Sequence, residues 1–87
     1  MAHRDRTAII AAILDTTTTM SSNSDIVYKA RMSFNQIRDY MPLLLERGMV
    51  EKTNRNDCEA YLTTEVGRKY LTAYKQIMEL MGDGPKV

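Results

Sequence analysis

A chain of 87 residues suits a single domain with a small hydrophobic core. Its twelve Lys and Arg residues oppose eleven Asp and Glu residues, and this formal charge of +1 argues against a protein that coats DNA with a basic surface on every side. The only cysteine, Cys58, excludes an internal disulfide and fits a reducing compartment. The first residues contain no apolar segment of signal or membrane length, so we expect a cytoplasmic protein without a membrane partner.

The first helix is predicted from near Asp5 to about Asp15. Apolar residues recur there in pairs one turn apart, at Ala8, Ile9, Ala12 and Ile13. The following residues 16–24 read TTTTMSSNS, and runs of β-branched threonine and of serine disfavour a helix. We therefore expect a linker between the first and second helices.

A short second helix follows this linker, and a third helix begins after a sharp break in the helical pattern. Ser22 or Ser24 can cap the second helix. The helical pattern then breaks at Arg31-Met32-Ser33. Ser33 and Gln36 have the spacing of a capping box, in which each side chain accepts a hydrogen bond from a free backbone N–H group at the helix start. A third helix is therefore predicted to begin at Ser33.

The third helix carries one apolar stripe that is expected to face the core. Its members recur at helical spacing and are Phe34, Ile37, Met41, Leu44 and Leu45. Gly48 is expected to end the helix as the glycine that follows its last turn. Pro42 removes one backbone hydrogen bond inside the helix, so we expect a kink there with the helix continuing to the glycine.

The hydrophobic period changes after the third helix. Residues 49–53 and 58–63 are two short strand candidates around the polar turn NRND. Cys58 is expected to be a half-buried residue of the second strand. The sequence therefore predicts a β-hairpin.

The last helix completes the predicted fold. Thr63 or Thr64 can cap it, and it extends to about Met81. The fold class is mainly α with a small β-hairpin, in the order helix, helix, helix, hairpin, helix. Residues 1–81 form the domain and residues 82–87 a flexible tail.

A short helix, a tight turn and a second helix form a helix-turn-helix, in which the second helix enters the major groove of DNA. The predicted recognition helix spans about 33–47. With Phe34 and Ile37 inward, the side chains expected to face outward are Asn35, Gln36, Arg38 and Asp39. Asn and Gln can bond adenine at two positions, Arg can bond guanine at two, and Asp can accept from cytosine. These residue types could read base edges, although an ordinary solvated face has a similar composition.

Residues around the recognition helix could contact the DNA backbone. Ser33 and the free amides at the helix start can hold a phosphate. Lys29 and Arg31 flank the turn and are placed to touch backbone rather than bases. Arg55 lies in the NRND turn, where it suits a phosphate or the minor groove. A helix-turn-helix followed by such a hairpin (about 49–63) is a winged helix, and the partner it predicts is double-stranded DNA.

The ordered motifs also resemble a known family, the small archaeal winged helix-turn-helix regulators. The matching residues are Tyr28-Lys29-Ala30, Leu44-Leu45, Gly48, Leu62-Thr63 and Gly67. The resemblance covers roughly residues 5–81, and Pro42 departs from the usual pattern. It implies a DNA-binding transcriptional regulator that is often dimeric.

The last helix has two adjacent apolar rows, one with Val66, Tyr70, Ala73, Ile77 and Leu80 and one with Leu71, Tyr74, Met78 and Met81. One row would cover a small domain, so the other is expected to bury against a second copy of the chain. The residues expected at this dimer contact are Tyr70, Leu71, Tyr74, Ile77, Met78 and Met81. The alternative is a wide stripe that faces the chain's own core. A dimer would set two recognition helices about one DNA turn, roughly 34 Å, apart on a palindromic site.

No catalytic, metal or cofactor site is expected. His3 is the only histidine, no nucleophile has a base near it, and no glycine-rich phosphate loop is present, so we expect a regulator rather than an enzyme. Two alternatives keep the fold and change the function. One is a winged-helix protein-interaction module, in which Asn35, Gln36 and Arg38 would be replaceable. The other is an architectural chromatin protein that binds any duplex, and the net charge of +1 counts against it.

Overall fold

The computed structural model describes residues 5–81, apart from the side chain of Arg55. The elements are α1 (Arg6–Thr16), α2 (Asn23–Ala30), α3 (Phe34–Glu46), β1 (Val50–Arg55), β2 (Cys58–Thr63) and α4 (Glu65–Leu80). Their order is the predicted one, three helices, a hairpin and a helix. Among these residues, none of the helices combines the length and the apolar composition of a membrane-spanning segment. The predicted tail at 82–87 lies outside the described residues.

The core is built around α1, which contacts α2, α3 and α4. Ile13 and Leu14 of α1 are fully buried, and they are joined by Ile26 of α2 and Leu44 of α3. Burial of one such aliphatic side chain contributes about 1.5–3 kcal/mol. The same contacts that stabilise the domain therefore fix α2 and α3 against one another.

The capping signals in the sequence are confirmed. The Asp5 carboxylate accepts a hydrogen bond from a backbone N–H at 2.8 Å at the start of α1. Ser22 forms a capping box with Asp25 at the start of α2. Thr64, rather than Thr63, caps α4. Each bond satisfies an amide that the first turn of a helix leaves without an intrahelical partner.

Residues 17–22 connect α1 to α2 without being helical, as the predicted linker does, but they are bonded to the hairpin. Thr17 and Ser21 are buried. The backbone of Ser21 pairs with that of Tyr61 in β2 through two hydrogen bonds of 3.0 and 2.7 Å, and the N–H of Thr63 donates to the Thr17 carbonyl at 2.7 Å. The threonines and serines do interrupt the helix, as expected, but the hairpin uses their polar groups. The segment therefore ties the α1–α2 connection to β2.

The hairpin has a longer first strand and a shorter turn than predicted. Residues 50–55 pair with residues 58–63 in an antiparallel register. The turn consists of Asn56 and Asp57, whose φ angles of 54° and 66° are both left-handed. Two successive left-handed residues match the right-handed twist of hairpin strands, which is why Asn and Asp are favoured there. Cys58 is exposed rather than half-buried, because it directly follows the turn and burial in β2 begins two residues later.

A glycine ends α3 and directs the chain into β1, as predicted. Gly48 has a φ of 72°. Its N–H donates to the Leu45 carbonyl at 3.1 Å, and the N–H of Met49 donates to the Leu44 carbonyl at 2.9 Å, which together form a Schellman motif. The helix continues through Pro42, also as predicted. The hairpin is thereby held at a fixed place beside the end of α3.

Candidate nucleic-acid interface

The turn between α2 and α3 depends on one left-handed residue and one buried residue. Arg31 has a φ of 56° and is the C-cap of α2. Met32 follows it, lies in the core, and donates its N–H to the Val27 carbonyl at 3.3 Å. The left-handed residue reverses the chain at once, and the methionine anchors the turn. The two helices contact each other and form the predicted helix-turn-helix.

A closed capping box begins α3. The backbone N–H of Ser33 donates to Oε1 of Gln36 at 3.1 Å, and the N–H of Gln36 donates to Oγ of Ser33 at 3.1 Å. Ser33 keeps its hydroxyl proton available for an acceptor. Gln36 keeps only its NH₂ group, because its carbonyl oxygen is already bonded. Reading adenine at two positions needs both groups, so this part of the expectation for Gln36 conflicts with the cap.

Three of the predicted outward side chains lie together on the exposed face of α3. Asn35, Arg38 and Asp39 are all exposed, while the opposite face of the helix is buried. Arg38 and Asp39 do not pair with each other: the ion pairs among the described residues join Lys52 to Glu59 and Lys75 to Asp15. The face therefore presents an amide, a guanidinium and a carboxylate that are free to bond another molecule.

The expectation that Phe34 faces the core is wrong. Its side chain is 53% exposed, whereas Ile37, Met41 and Leu44 are buried as predicted. Phe34 lies about three turns before Leu45 on the same row of the helix, and Leu45 is only partly buried. This row borders the core instead of filling it. An aromatic ring is therefore left at the first residue of α3, beside the polar side chains.

A cleft of about 340 Å³ separates α3 from the hairpin. Its lining is mostly apolar with two cations, and the residues are Asn23, Phe34, Ile37, Arg38, Met41, Pro42, Leu45, Lys52 and Tyr61. Lys52 was not predicted as a site residue. In the strand register it lies opposite Tyr61, and its Nζ is 3.6 Å from a carboxylate oxygen of Glu59. Sequence alone offers no signal for it, because its place beside Arg38 depends on how the hairpin packs on α3.

The other predicted backbone contacts surround this face. Lys29 and Arg31 are exposed at the end of α2. Arg55 is the last residue of β1, opposite Cys58, and not part of the turn itself. Its side chain lies outside the described part of the structure, so its contact with DNA remains a prediction. The described cations thus flank α3 on two sides, at the turn before it and on the strand across the cleft.

The helix α4 presents an apolar face that the chain does not cover. Ile77 and Met81 are 53% and 73% exposed. A shallow groove of about 280 Å³ on this side is lined by Thr7, Tyr70, Ala73, Tyr74, Ile77 and Met78. Leu71 is different, because it is 6% exposed and belongs to the core, on the side of α4 that meets α1. Leu71 has no surface to offer a partner, and its predicted place at a dimer contact is wrong.

Tyr70 titrates differently from a free tyrosine. Partial burial raises the pKa of its phenol, and the nearby Tyr74 and Asp5 raise it further. The Tyr70 hydroxyl lies 3.4 Å from the Thr7 carbonyl, to which it donates. The neutral phenol is therefore the form that this face of the folded chain favours.

The sequence matches the family model described as winged helix-turn-helix over residues 3–82. A search of curated proteins finds no match. Several solved structures are similar in fold. One is Sso10a-2 from Sulfolobus solfataricus, described as a DNA-binding protein, with 20% identity and a TM-score of 0.83 over 92% of this chain and 84% of that one.

Two further structures have the same fold at similar identity. The F-93 protein of SSV1 is 21% identical with a TM-score of 0.67, over 88% of this chain and 89% of its own. BpsR from Bordetella bronchiseptica, whose DNA binding is regulated by 6-hydroxynicotinic acid, is 16% identical with a TM-score of 0.72. That alignment covers 91% of this chain and 63% of BpsR. At these identities the likeness extends to the fold alone.

Proposed function

We propose that this chain, which belongs to the winged helix-turn-helix family, binds double-stranded DNA at specific sites and regulates transcription. The observation that carries the proposal is the exposed face of α3, where Asn35, Arg38 and Asp39 follow a capped helix start. Neither Arg38 nor Asp39 has an ion-pair partner among the described residues. The DNA-binding description of Sso10a-2 supports the same conclusion. We propose a protein that binds DNA and catalyses no reaction. DNA binding would place it on the nucleoid.

Base contacts come from the first turns of α3 in the major groove. Asn35 has both an acceptor and donors for adenine, and Arg38 has the planar pair of donors that fits guanine. Asp39 can accept from the amino group of cytosine, and it repels phosphates, so it favours a position over base edges. Each well-formed pair of this kind discriminates against a wrong base by about 1–3 kcal/mol.

Backbone contacts come from the residues around these three side chains. Ser33 can donate its hydroxyl proton to a phosphate, and the first amides of α3 add the positive end of a helix dipole. Lys29 and Arg31 lie at the end of α2, before α3, and Lys52 lies across the cleft from α3. These contacts set the position of the helix and carry no sequence information. Arg55, the last residue of β1, would add a contact from the wing to a phosphate or the minor groove.

Dimerisation through α4 is part of the proposal. The exposed apolar residues Ile77 and Met81 and the groove beside Tyr70, Tyr74 and Met78 form a surface that suits a second copy of the chain. Two copies would double the DNA contacts of a chain whose net charge is only +1. They would also read an inverted repeat whose half-sites are about one helical turn apart.

The test is selection of bound fragments from sheared genomic DNA at moderate salt, followed by affinity measurements on a recovered site. The wild-type chain should enrich a few fragments that share an inverted repeat. The double variant Asn35→Ala/Arg38→Ala should lose this preference and keep most of its salt-sensitive background binding. The matched control Gln76→Ala/Arg68→Ala removes the same groups from α4, where both residues are exposed, and should keep the preference.

The remaining outcomes would replace the proposal. Recovery of all fragments to the same extent would indicate an architectural DNA-binding protein. Recovery of none would indicate a protein-interaction module. A preference that survives the double variant would show that α3 is not the element that reads the sequence.

A further inference from the structure

Phe34 is an exposed apolar residue among the polar side chains of the candidate interface. It is the first residue of α3 and follows the cap Ser33 directly. Its ring is 53% exposed, although one side of it lines the cleft toward the hairpin. Leaving this much aromatic surface in water is unfavourable, so covering it with a partner would stabilise the complex.

The position of Phe34 determines which partner could cover it. In a helix-turn-helix, the residues at the start of the second helix are those that contact base edges in the major groove. Arg38 lies one turn further along the same row of α3, and both residues border the same cleft. The apolar face of α4 is a separate surface, lined by other residues. The ring thus lies among the DNA-facing groups and not among those of the proposed dimer contact.

The chemistry of the ring then limits what it could recognise. Phenylalanine has no donor or acceptor, so it can form no hydrogen bond with a base. Of the groups that the four base pairs present in the major groove, the 5-methyl group of thymine is the apolar one. A ring that is already half covered by its own helix and cleft loses little freedom when it packs against such a methyl group.

We propose that Phe34 reads the 5-methyl group of a thymine in the bound site, which rests on the function proposed above. Arg38 is four residues later, about 6 Å along the helix, and the base pairs of a duplex rise about 3.4 Å. The thymine that Phe34 contacts therefore lies within about two base steps of the guanine that Arg38 contacts.

The test replaces each thymine of a recovered site by uracil, which removes one methyl group and changes no hydrogen-bonding group. A single such replacement, in one half-site, should weaken wild-type binding about fourfold, as expected for the loss of one buried methyl group. Phe34→Ala should bind the thymine and uracil duplexes equally. Phe34→Leu keeps an apolar side chain and should retain part of the preference. Tyr28→Ala, which removes an exposed aromatic ring from α2, is the matched control and should keep all of it.

Each other result has a distinct meaning. If the wild-type chain selects a site but no uracil replacement weakens binding, the thymine contact is wrong and the proposed function stands. If Phe34→Ala weakens binding but keeps the same preference for thymine, another residue reads the methyl group and the assignment is again wrong. If the wild-type chain binds no duplex, the proposed function fails and the thymine contact fails with it.

Discussion

The hydroxyl oxygens of Thr17 and Thr63 lie 2.7 Å apart, and both side chains are buried. Thr63 Oγ1 also donates to the Leu14 carbonyl at 2.7 Å, and Thr17 Oγ1 lies 2.9 Å from the Ile13 carbonyl. The last turn of α1, the segment after it and the end of β2 are thus joined by polar groups inside an otherwise apolar core. This hydrogen-bond network fixes the hairpin to the helical part of the domain.

We expect Thr63→Val to destabilise the domain by about 1–3 kcal/mol, because valine keeps the shape of the side chain but removes the hydroxyl that donates to the Leu14 carbonyl and bonds to Thr17. Urea unfolding followed by circular dichroism measures this change. Thr63→Ser is the control, because it keeps the hydroxyl and loses only a methyl group. A valine variant as stable as the wild-type chain would show that the network contributes nothing to the fold.

Arg31→Gly should change stability and DNA affinity in opposite directions. A non-glycine residue in the left-handed conformation costs roughly 1–2 kcal/mol, which glycine avoids, so the unfolding free energy should rise by about 1 kcal/mol. Loss of one phosphate contact should reduce the slope of log affinity against log salt by about 1. Arg31→Ala separates the two effects, because it removes the charge and keeps the strained backbone. Equal stability of the glycine and alanine variants would contradict the argument from backbone strain.

Ile77→Glu should convert a dimer to a monomer without unfolding the domain. The side chain is exposed in a single chain, so a carboxylate there costs little, but it would be desolvated without a partner in a contact between two α4 helices. Sedimentation equilibrium measures the mass, and circular dichroism checks the fold. Glu79→Ala, an exposed change on the same helix, should leave the mass unchanged. A wild-type chain that sediments as a monomer would contradict the dimer directly.

The domain should lose stability in alkali through Tyr70. Burial, followed by the influence of Tyr74 and Asp5, places the folded-state pKa of this phenol above its ordinary value of 10.0. The stabilisation is therefore complete below pH 10 and is lost as the pH rises through the folded-state pKa. Urea midpoints between pH 8 and 11 should fall more for the wild-type chain than for Tyr70→Phe. If the urea midpoint falls equally with pH in both proteins, a group other than Tyr70 causes the loss of stability.

Features that depend on neighbours in sequence were predictable, and features that depend on distant neighbours were not. The cap at Ser33 and the glycine at Gly48 follow from local backbone requirements, so sequence spacing identifies them. Phe34 and Leu71 have similar apolar character, yet one is half exposed and the other buried. Which side of an apolar stripe meets the core depends on how the helices pack, and helical periodicity alone does not reveal that packing.

The polar residues also divide into those predictable from local sequence and those placed by distant contacts. Asn35, Arg38 and Asp39 were predicted to face outward because helical periodicity alone separates them from the buried face. Lys52 was missed as a site residue, because it comes next to α3 only through the fold of the hairpin. The burial of Thr17 was missed because its hydroxyl partner is 46 residues away.

Among the described residues, the backbone hydrogen bonds that join the hairpin to the rest of the domain lie toward its base, at Ser21 and Thr17. Asn54 and Glu59, toward the turn, are exposed, and in the register their backbones lie opposite each other across the two strands. Backbone amides should therefore exchange hydrogen slowly at Tyr61 and fast near the turn. A wing with a rigid base and a compliant tip could follow duplexes of different groove width while α3 keeps a constant register. The wing would then tolerate differences in DNA shape, while α3 would discriminate between sequences.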